Sequence, residues 1–208
     1  MNLLTSVYVI GDSISIQYGA YLEQSLKGRA FYSRKQGEQE ALLNLDNPRG
    51  ANGGDSSQVA DFLSHLVTSG FPKVDLLMVN CGLHDIKRDP NIGTYQIPID
   101  QYEQNLELIV SWSKELSHQM IWVRSTPVDD LIHNSLSKGF FRYHEDCINY
   151  NRVADGIMAN SGIESIDLYS FTDHLPQPKY CDHVHFTEEV RKLQGEFIGK
   201  QILETLKI

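Results

Sequence analysis

The sequence is poor in cysteine and has no long apolar run. Its three cysteines, Cys81, Cys147 and Cys181, are odd in number and far apart. Their spacing is typical of reduced thiols and excludes both a disulfide framework and a zinc knuckle. No stretch approaches the roughly 20 apolar residues of a membrane span, and the first residues lack the basic start of a secretory signal. We therefore expect a cytoplasmic protein without a membrane partner.

Positive charge is also scarce. Lys and Arg number 18 against 27 Asp and Glu, which gives a formal net charge of −9. An acidic surface repels phosphate backbones, so a nucleic-acid partner is not expected. The phosphate-binding loops GxxxxGK[ST] and GxGxxG are absent, and so is the HExxH pattern of many zinc hydrolases. Nucleotide binding therefore has no support in the sequence.

What is present is an alternation of short β-branched runs with segments of helical period, which is typical of βαβ units and a mainly parallel sheet. At 208 residues and 41% hydrophobic content, the chain predicts one domain spanning residues 1–208. The clearest predicted strands are Ser6–Ile10, Val74–Asn80, Met120–Arg124 and Ile163–Asp167.

Between residues 28 and 55 the periodic pattern weakens. We expect a weak strand at Ala30–Ser33 followed by a long polar loop, and loops of this length are often functional. The candidates for burial in this segment are Phe31, Tyr32, Leu42 and Leu43.

Ser13 stands at the end of the first predicted strand, in Gly11-Asp12-Ser13, directly before a helical pattern. Such a turn presents a hydroxyl at the carboxyl edge of the sheet, where catalytic groups of parallel sheets collect. A serine nucleophile needs a histidine base that is held by a carboxylate. The alternative is that Asp12 or Ser13 only caps the helix.

Near the other end of the chain, Asp182 and His185 are three residues apart in Asp182-His183-Val184-His185. A turn of that length can bring the carboxylate onto Nδ1 of the imidazole and leave Nε2 facing outward. His183, directly beside the acid, is expected to point elsewhere. The alternative is a solvated loop before the last helix.

Two further segments lie at predicted strand or helix ends. Asn52-Gly53-Gly54-Asp55 precedes a helix, whose free N–H groups can face developing negative charge; the alternative is an ordinary glycine turn with Asp55 or Ser56 as the cap. Asn80-Cys81-Gly82-Leu83-His84-Asp85 follows a strand and could supply a side-chain donor.

Together, GDS, GGDSS, NCGLHD and DHVH resemble the four sequence blocks of the SGNH hydrolases, the GDSL esterase and lipase family. The resemblance implies a three-layer α/β/α fold with a flavodoxin-like sheet of about five parallel strands. It implies ester hydrolysis without a metal or an organic cofactor. It also makes Ser13 the nucleophile, His185 the base and Asp182 its orienting carboxylate, with the N–H groups of Ser13 and Gly54 in the oxyanion hole.

The chain departs from the family pattern at one position. Where the family has Gly-x-Asn-Asp, this sequence has Gly82-Leu83-His84-Asp85. The resemblance implies that His84 replaces the asparagine as third oxyanion donor, and an imidazole N–H can serve that purpose. The alternatives are that His84 only packs the loop or bonds Asp85. A catalytically weakened binding protein and an acyltransferase with the same triad also stay open.

A metal site is the rival interpretation of these residues. Five potential ligands stand at predicted strand ends: His84, Asp85, Asp182, His183 and His185. Known zinc-hydrolase spacing is absent, which favours the serine mechanism.

The polar character of the loops that should flank the site favours a small substrate. The 28–55 segment carries Arg34, Lys35 and Arg49, and Asp89–Pro98 is similarly polar. Neither offers the broad apolar surface that a long acyl chain needs. We therefore expect a small-molecule or carbohydrate ester as substrate, with a short acyl group such as acetyl on a sugar. The sequence does not indicate an oligomeric state.

Overall fold

A computed structural model describes residues 4–208 and contains one five-stranded sheet. The strands are β1 (Thr5–Ile10), β2 (Ala30–Arg34), β3 (Val74–Val79), β4 (Ser117–Val123) and β5 (Glu164–Ile166). All neighbours are parallel, in the order β2-β1-β3-β4-β5. From β1 the chain moves outward to β2 and then returns to place β3 on the other side of β1. The loops after β1 and β3 therefore diverge and leave a crevice between them, where α/β proteins bind ligands.

Helices cover both faces of the sheet. They are α1 (Ser13–Leu26), α2 (Glu38–Leu42), α3 (Ser56–Thr68), α4 (Ile99–Leu116), α5 (Asp130–Leu136), α6 (His144–Asn160), α7 (Leu168–Asp173) and α8 (Glu188–Leu206). Helix α1 packs on α8, while α3 packs on α4 and α4 on α6. Right-handed crossovers that run in opposite directions from β1 place these two groups on opposite faces. The predicted three-layer α/β/α fold with a flavodoxin-like parallel sheet is confirmed.

The central strands are buried on both faces, so they are continuously apolar and do not alternate. Val7, Val9, Leu76 and Met78 are fully buried, and they belong to one large cluster of apolar side chains that includes residues of α1, α3, α4, α6 and α8. Within residues 4–208, no helix has the length and apolar character that crossing a membrane requires.

The segment after β2 differs from its prediction in two respects. It contains the short helix α2, and the side chains that turn inward are small: Ala41 and Ala51 are fully buried and pack with Ile16 of α1. The large apolar residues predicted to be buried are instead exposed, except Tyr32, which is half-buried: Phe31 at 61%, Leu42 at 59% and Leu43 at 86%. In this segment the backbones of Gly37 and Gly50 approach each other closely, because a Cβ on Gly37 would stand 2.6 Å from Gly50 Cα.

The sequence pattern does not indicate helix α6. Its buried residues include Cys147, Tyr150, Ala154 and Met158, which follow helical spacing. Polar residues occupy most of its other positions, and they hide the period.

Candidate active site

Ser13 is the first residue of α1, directly after β1. The carboxylate of Asp12 accepts the N–H of Ile14 at 2.9 Å and caps the helix. Because Asp12 performs the capping, the hydroxyl of Ser13 is free for another partner. Its N–H lies in the first turn, where helix amides have no acceptor within the helix.

The structure brings Ser13, His185 and Asp182 into one hydrogen-bonded chain. Ser13 Oγ lies 2.9 Å from His185 Nε2, and His185 Nδ1 lies 2.7 Å from Asp182 Oδ2. With the proton on Nδ1, the ring donates to the carboxylate and Nε2 accepts from the serine hydroxyl. His185 is 2% exposed and Ser13 is 6% exposed, so most of the surrounding water is excluded. This arrangement can remove a proton from Ser13 and keep the resulting imidazolium next to an anion.

The carboxylate of Asp182 is held in its charged form. Burial raises the pKa of Asp182, but hydrogen bonds from the His185 ring and from the N–H groups of Val184 and His185 outweigh it, so the pKa lies well below its ordinary value. The two backbone N–H groups lie 2.9 and 2.7 Å from Oδ1. They leave Oδ2 for the ring and fix its direction.

His183 points away from this chain. Its Nε2 lies 3.0 Å from Asp46 Oδ2, and its Nδ1 lies 3.0 Å from Nδ1 of His133 on α5. Asp182, His183 and His185 place one potential ligand atom each within 4.8 Å of one another. However, each ring nitrogen of both histidines already has a protein partner. A metal ion at this position would have to break those hydrogen bonds.

Gly54 lies at the entry to α3, where its backbone has a φ of +76°. A Cβ there would stand 2.0 Å from Gln58 Oε1, so glycine suits this position. Its N–H donates to Asn52 Oδ1 at 3.0 Å, and Asp55 forms a capping box with Gln58. An oxyanion at Ser13 would have to compete with the amide oxygen of Asn52 for this N–H. Asn52 is a functional candidate that the sequence analysis quoted without a role.

His84 is 4% exposed and lies on the loop after β3. Burial, with the positive charges of Lys87 and Arg142, lowers the pKa of His84 well below its usual value, so the ring is neutral at pH 7. Asp85 is not its partner, because both carboxylate oxygens of Asp85 accept the N–H of Ser56, at 2.9 and 3.1 Å. A neutral imidazole carries one N–H that it can donate.

The three cysteines are free thiols. Cys81 and Cys147 are buried, and burial raises the pKa of Cys147 to about 12. Cys147 Sγ donates to Thr126 O at 3.1 Å, and Cys181 Sγ lies 3.2 Å from Phe186 O. None of these partners belongs to the Ser13–His185–Asp182 chain.

Several residues near the site were missed by the sequence analysis. They are Asp46, Lys87, His133, Phe140 and Arg142, which stand on four separate segments. Arg142 donates from Nε to Leu83 O at 2.6 Å, directly beside His84. None of them has a local motif, because only the packing of distant loops brings them together.

Solved structures share this fold. A lipase/acylhydrolase from Enterococcus faecalis superposes with a TM-score of 0.70 at 16% identity, covering 97% of each chain. A member of the lipolytic G-D-S-L family from Veillonella parvula gives 0.64 at 14% identity, covering 94% of this chain and 97% of the other. An acetylxylan esterase from Geobacillus stearothermophilus gives a TM-score of 0.66 at 15% identity, covering 100% of this chain and 97% of the other. No protein-family model and no curated protein matches the chain. The expected likeness to the SGNH hydrolases is thus confirmed for the fold.

Proposed function

We propose that this protein is a serine esterase of the SGNH type that hydrolyses a small acyl ester through an acyl-enzyme. The observation that carries the proposal is the chain from Ser13 Oγ to His185 Nε2 to Asp182, at 2.9 and 2.7 Å. A scaffold without chemistry has no need for a hydroxyl, an imidazole and a carboxylate in this order.

In the first half-reaction, Ser13 Oγ attacks the ester carbonyl while His185 Nε2 takes its proton. The carbonyl oxygen becomes an oxyanion, which the N–H groups of Ser13 and Gly54 and the His84 ring N–H stabilise. Gly54 turns its N–H from the neutral oxygen of Asn52 to the oxyanion, since charged acceptors form stronger hydrogen bonds. The C–O bond to the alcohol then breaks, and His185 returns the proton to the leaving oxygen.

In the second half-reaction, water attacks the acyl-enzyme while His185 again removes a proton. The new tetrahedral intermediate collapses, the acid leaves, and Ser13 regains its hydrogen. Asp182 keeps the ring in the required tautomer and stabilises the imidazolium in both halves.

A short acyl group fits the residues around Ser13 best. Lys87 and Arg142 act electrostatically on His84, as His185 does, and the ring of His183 lies 5.9 Å from that of His185; these polar and charged side chains support a short acyl group over a long apolar one. The solved structures that share the fold include an acetylxylan esterase, which supports an acetyl ester of a sugar as the first substrate to test.

The test is labelling with a serine-reactive fluorophosphonate followed by mass spectrometry of the modified peptide. We expect one adduct, at Ser13, and none in Ser13→Ala. Hydrolysis of 4-nitrophenyl esters should fall by several orders of magnitude in the same variant. Ser15 is the matched control, because it is buried two residues away and donates to Asp12 O at 2.7 Å; Ser15→Ala should still be labelled at Ser13.

Three results would contradict the proposal. Full esterase activity in Ser13→Ala would exclude the serine mechanism. A folded protein without labelling or ester turnover would favour the binding-protein alternative. If a chelator inactivated the enzyme and added zinc restored the activity, a metal site at Asp182, His183 and His185 would be favoured. A panel of acyl chains from acetyl to octanoyl then tests the preference for short groups.

A further inference from the structure

Two cations are buried together on the His84 side of the site without an ionic partner. Arg142 is 2% exposed, and Lys87 is half-buried. Among the ion pairs found within residues 4–208, neither residue takes part, so no carboxylate oxygen there lies within 4 Å of their nitrogens. Burying a charge without a partner is costly, and proteins retain such an arrangement where it serves a purpose.

The ring of Phe140 contacts both cations. Lys87 Nζ lies 4.4 Å from the centroid of its ring, and Arg142 Cζ lies 4.8 Å from it. A cation–π contact attracts each cation but neutralises neither. The surrounding hydrogen bonds are likewise with neutral oxygens, since Lys87 Nζ donates to Asp46 O at 3.0 Å and Arg142 Nε donates to Leu83 O.

Asp46, whose backbone oxygen accepts from Lys87, has its carboxylate committed elsewhere. Asp46 directs its carboxylate at His183 Nε2, 3.0 Å away. Arg142 Nη1 is buried and has no hydrogen-bond partner. Burial and the proximity of Arg142 lower the pKa of Lys87 to about 8, and burial lowers the pKa of Arg142 to about 10. The carboxylates of Asp12, Asp46, Asp55 and Asp182 raise one or both of these pKa values, but the effect of burial outweighs theirs.

This pair of cations adjoins the reacting groups. Leu83 O, which accepts from Arg142, belongs to the residue before His84. The charges of Lys87, Arg142 and His185 all act on the buried His84 ring. A substrate whose carbonyl sits between Ser13 and His84 therefore lies in the electrostatic field of this pair.

Resting on the esterase function proposed above, we propose that Lys87 and Arg142 form a subsite for an anionic group, a carboxylate or a phosphate, carried by the ester substrate. Lys87 makes the direct contact, because it is the less buried of the two. Arg142 is sealed behind Phe140 and acts through its charge. In a protein of net charge −9, such a subsite supplies the local attraction that an acidic substrate needs.

The test compares charged esters with neutral esters of nearly the same shape. On the acyl side, mono-4-nitrophenyl succinate is paired with its methyl ester. On the alcohol side, O-acetyl glucuronic acid is paired with its methyl ester, and acetyl glycerol 3-phosphate with glycerol monoacetate. We expect a higher kcat/KM for the charged member of at least one pair, and the pair that responds identifies which part of the substrate carries the charge.

Lys87→Gln should reduce that charged-to-neutral ratio about tenfold or more, since a hydrogen bond to a charged group is lost. Lys87→Arg should retain the ratio. The control is Lys114→Gln, which removes one charge at an exposed position where α4 leads into β4, at the opposite end of the sheet. Equal losses on charged and neutral esters in Lys87→Gln, or an unchanged ratio, would overturn the subsite.

A binding measurement separates this proposal from the esterase function. Titration calorimetry of succinate, glucuronate and glycerol 3-phosphate into Ser13→Ala protein should detect binding of at least one anion, and Ser13→Ala/Lys87→Gln should lose it. If an anion binds but no ester is cleaved by the wild type, the esterase function fails while the subsite stands. If esters are cleaved without discrimination and no anion binds, the subsite fails alone.

Discussion

His84 is the residue at which the chain departs from the family pattern, and its surroundings are consistent with a donor. The neutral ring carries one N–H. Asn80, the other candidate on this loop, donates one of its two amide hydrogens to Val123 O at 2.8 Å. Asp85 is likewise committed, to Ser56.

We predict that His84→Ala loses about 10²–10³ in kcat, the typical cost of one oxyanion donor. His84→Asn restores an amide N–H and should keep much of the activity. The loss should appear in kcat more than in KM, because the oxyanion exists only near the transition state. Steady-state kinetics on 4-nitrophenyl acetate measure both variants, with thermal unfolding to verify that each is folded.

Parental kcat in His84→Ala would remove His84 from the oxyanion hole. Equal losses in the Ala and Asn variants would instead indicate that the imidazole packs the loop.

At the scale of elements, Asp85 links the loop after β3 to the N-terminus of α3 through the Ser56 N–H. The side chain is fully buried, and burial raises the pKa of Asp85 to about 7. In the unfolded chain the same group loses its proton near pH 4. Between these values the unfolded state holds fewer protons than the folded state, so this group lowers stability as pH rises.

We predict that Asp85→Asn removes this dependence while its amide oxygen still accepts the Ser56 N–H. Relative to the variant, the free energy of unfolding of the wild type should fall by up to about 4 kcal/mol between pH 4 and 7.5, and change no further above that. Urea unfolding across this range measures the difference. Asp61→Asn, an exposed change on α3, controls for the loss of one negative charge. If the free energies of unfolding of the wild type and of Asp85→Asn changed in parallel with pH, the prediction would be contradicted.

The elements themselves differed in how far they could be predicted. The buried strands β1 and β3 form continuous apolar runs, and α3 begins at a capping box, so both signals are local. Helix α6 has its apolar residues at helical spacing, but its many polar residues obscure them. Helix α2 depends on the close approach of Gly37 to Gly50, which no local pattern indicates.

At the scale of the molecule, we propose that residues 1–208 form one domain. Within the described part of the chain, the apolar residues of both faces of the sheet belong to one large cluster. A shared core predicts a single cooperative unfolding transition. Far-UV circular dichroism reports all the helices, while fluorescence reports Trp112 of α4 and Trp122 of β4. The two signals should have the same midpoint in urea, and two separate midpoints would indicate two units.

The sequence by itself determined the α/β class and the parallel sheet, and its three-residue spacing allowed the pairing of Asp182 with His185. These depend on periodicity, on caps and on a turn of three residues, which act between near neighbours. The contact between Ser13 and His185 spans 172 residues; the sequence indicated it only through a resemblance. Tertiary structure alone decided that Asp85 bonds Ser56 and that Lys87 and Arg142 both contact Phe140. Such contacts depend on which strands are adjacent and on how their loops pack, and no local interaction specifies either.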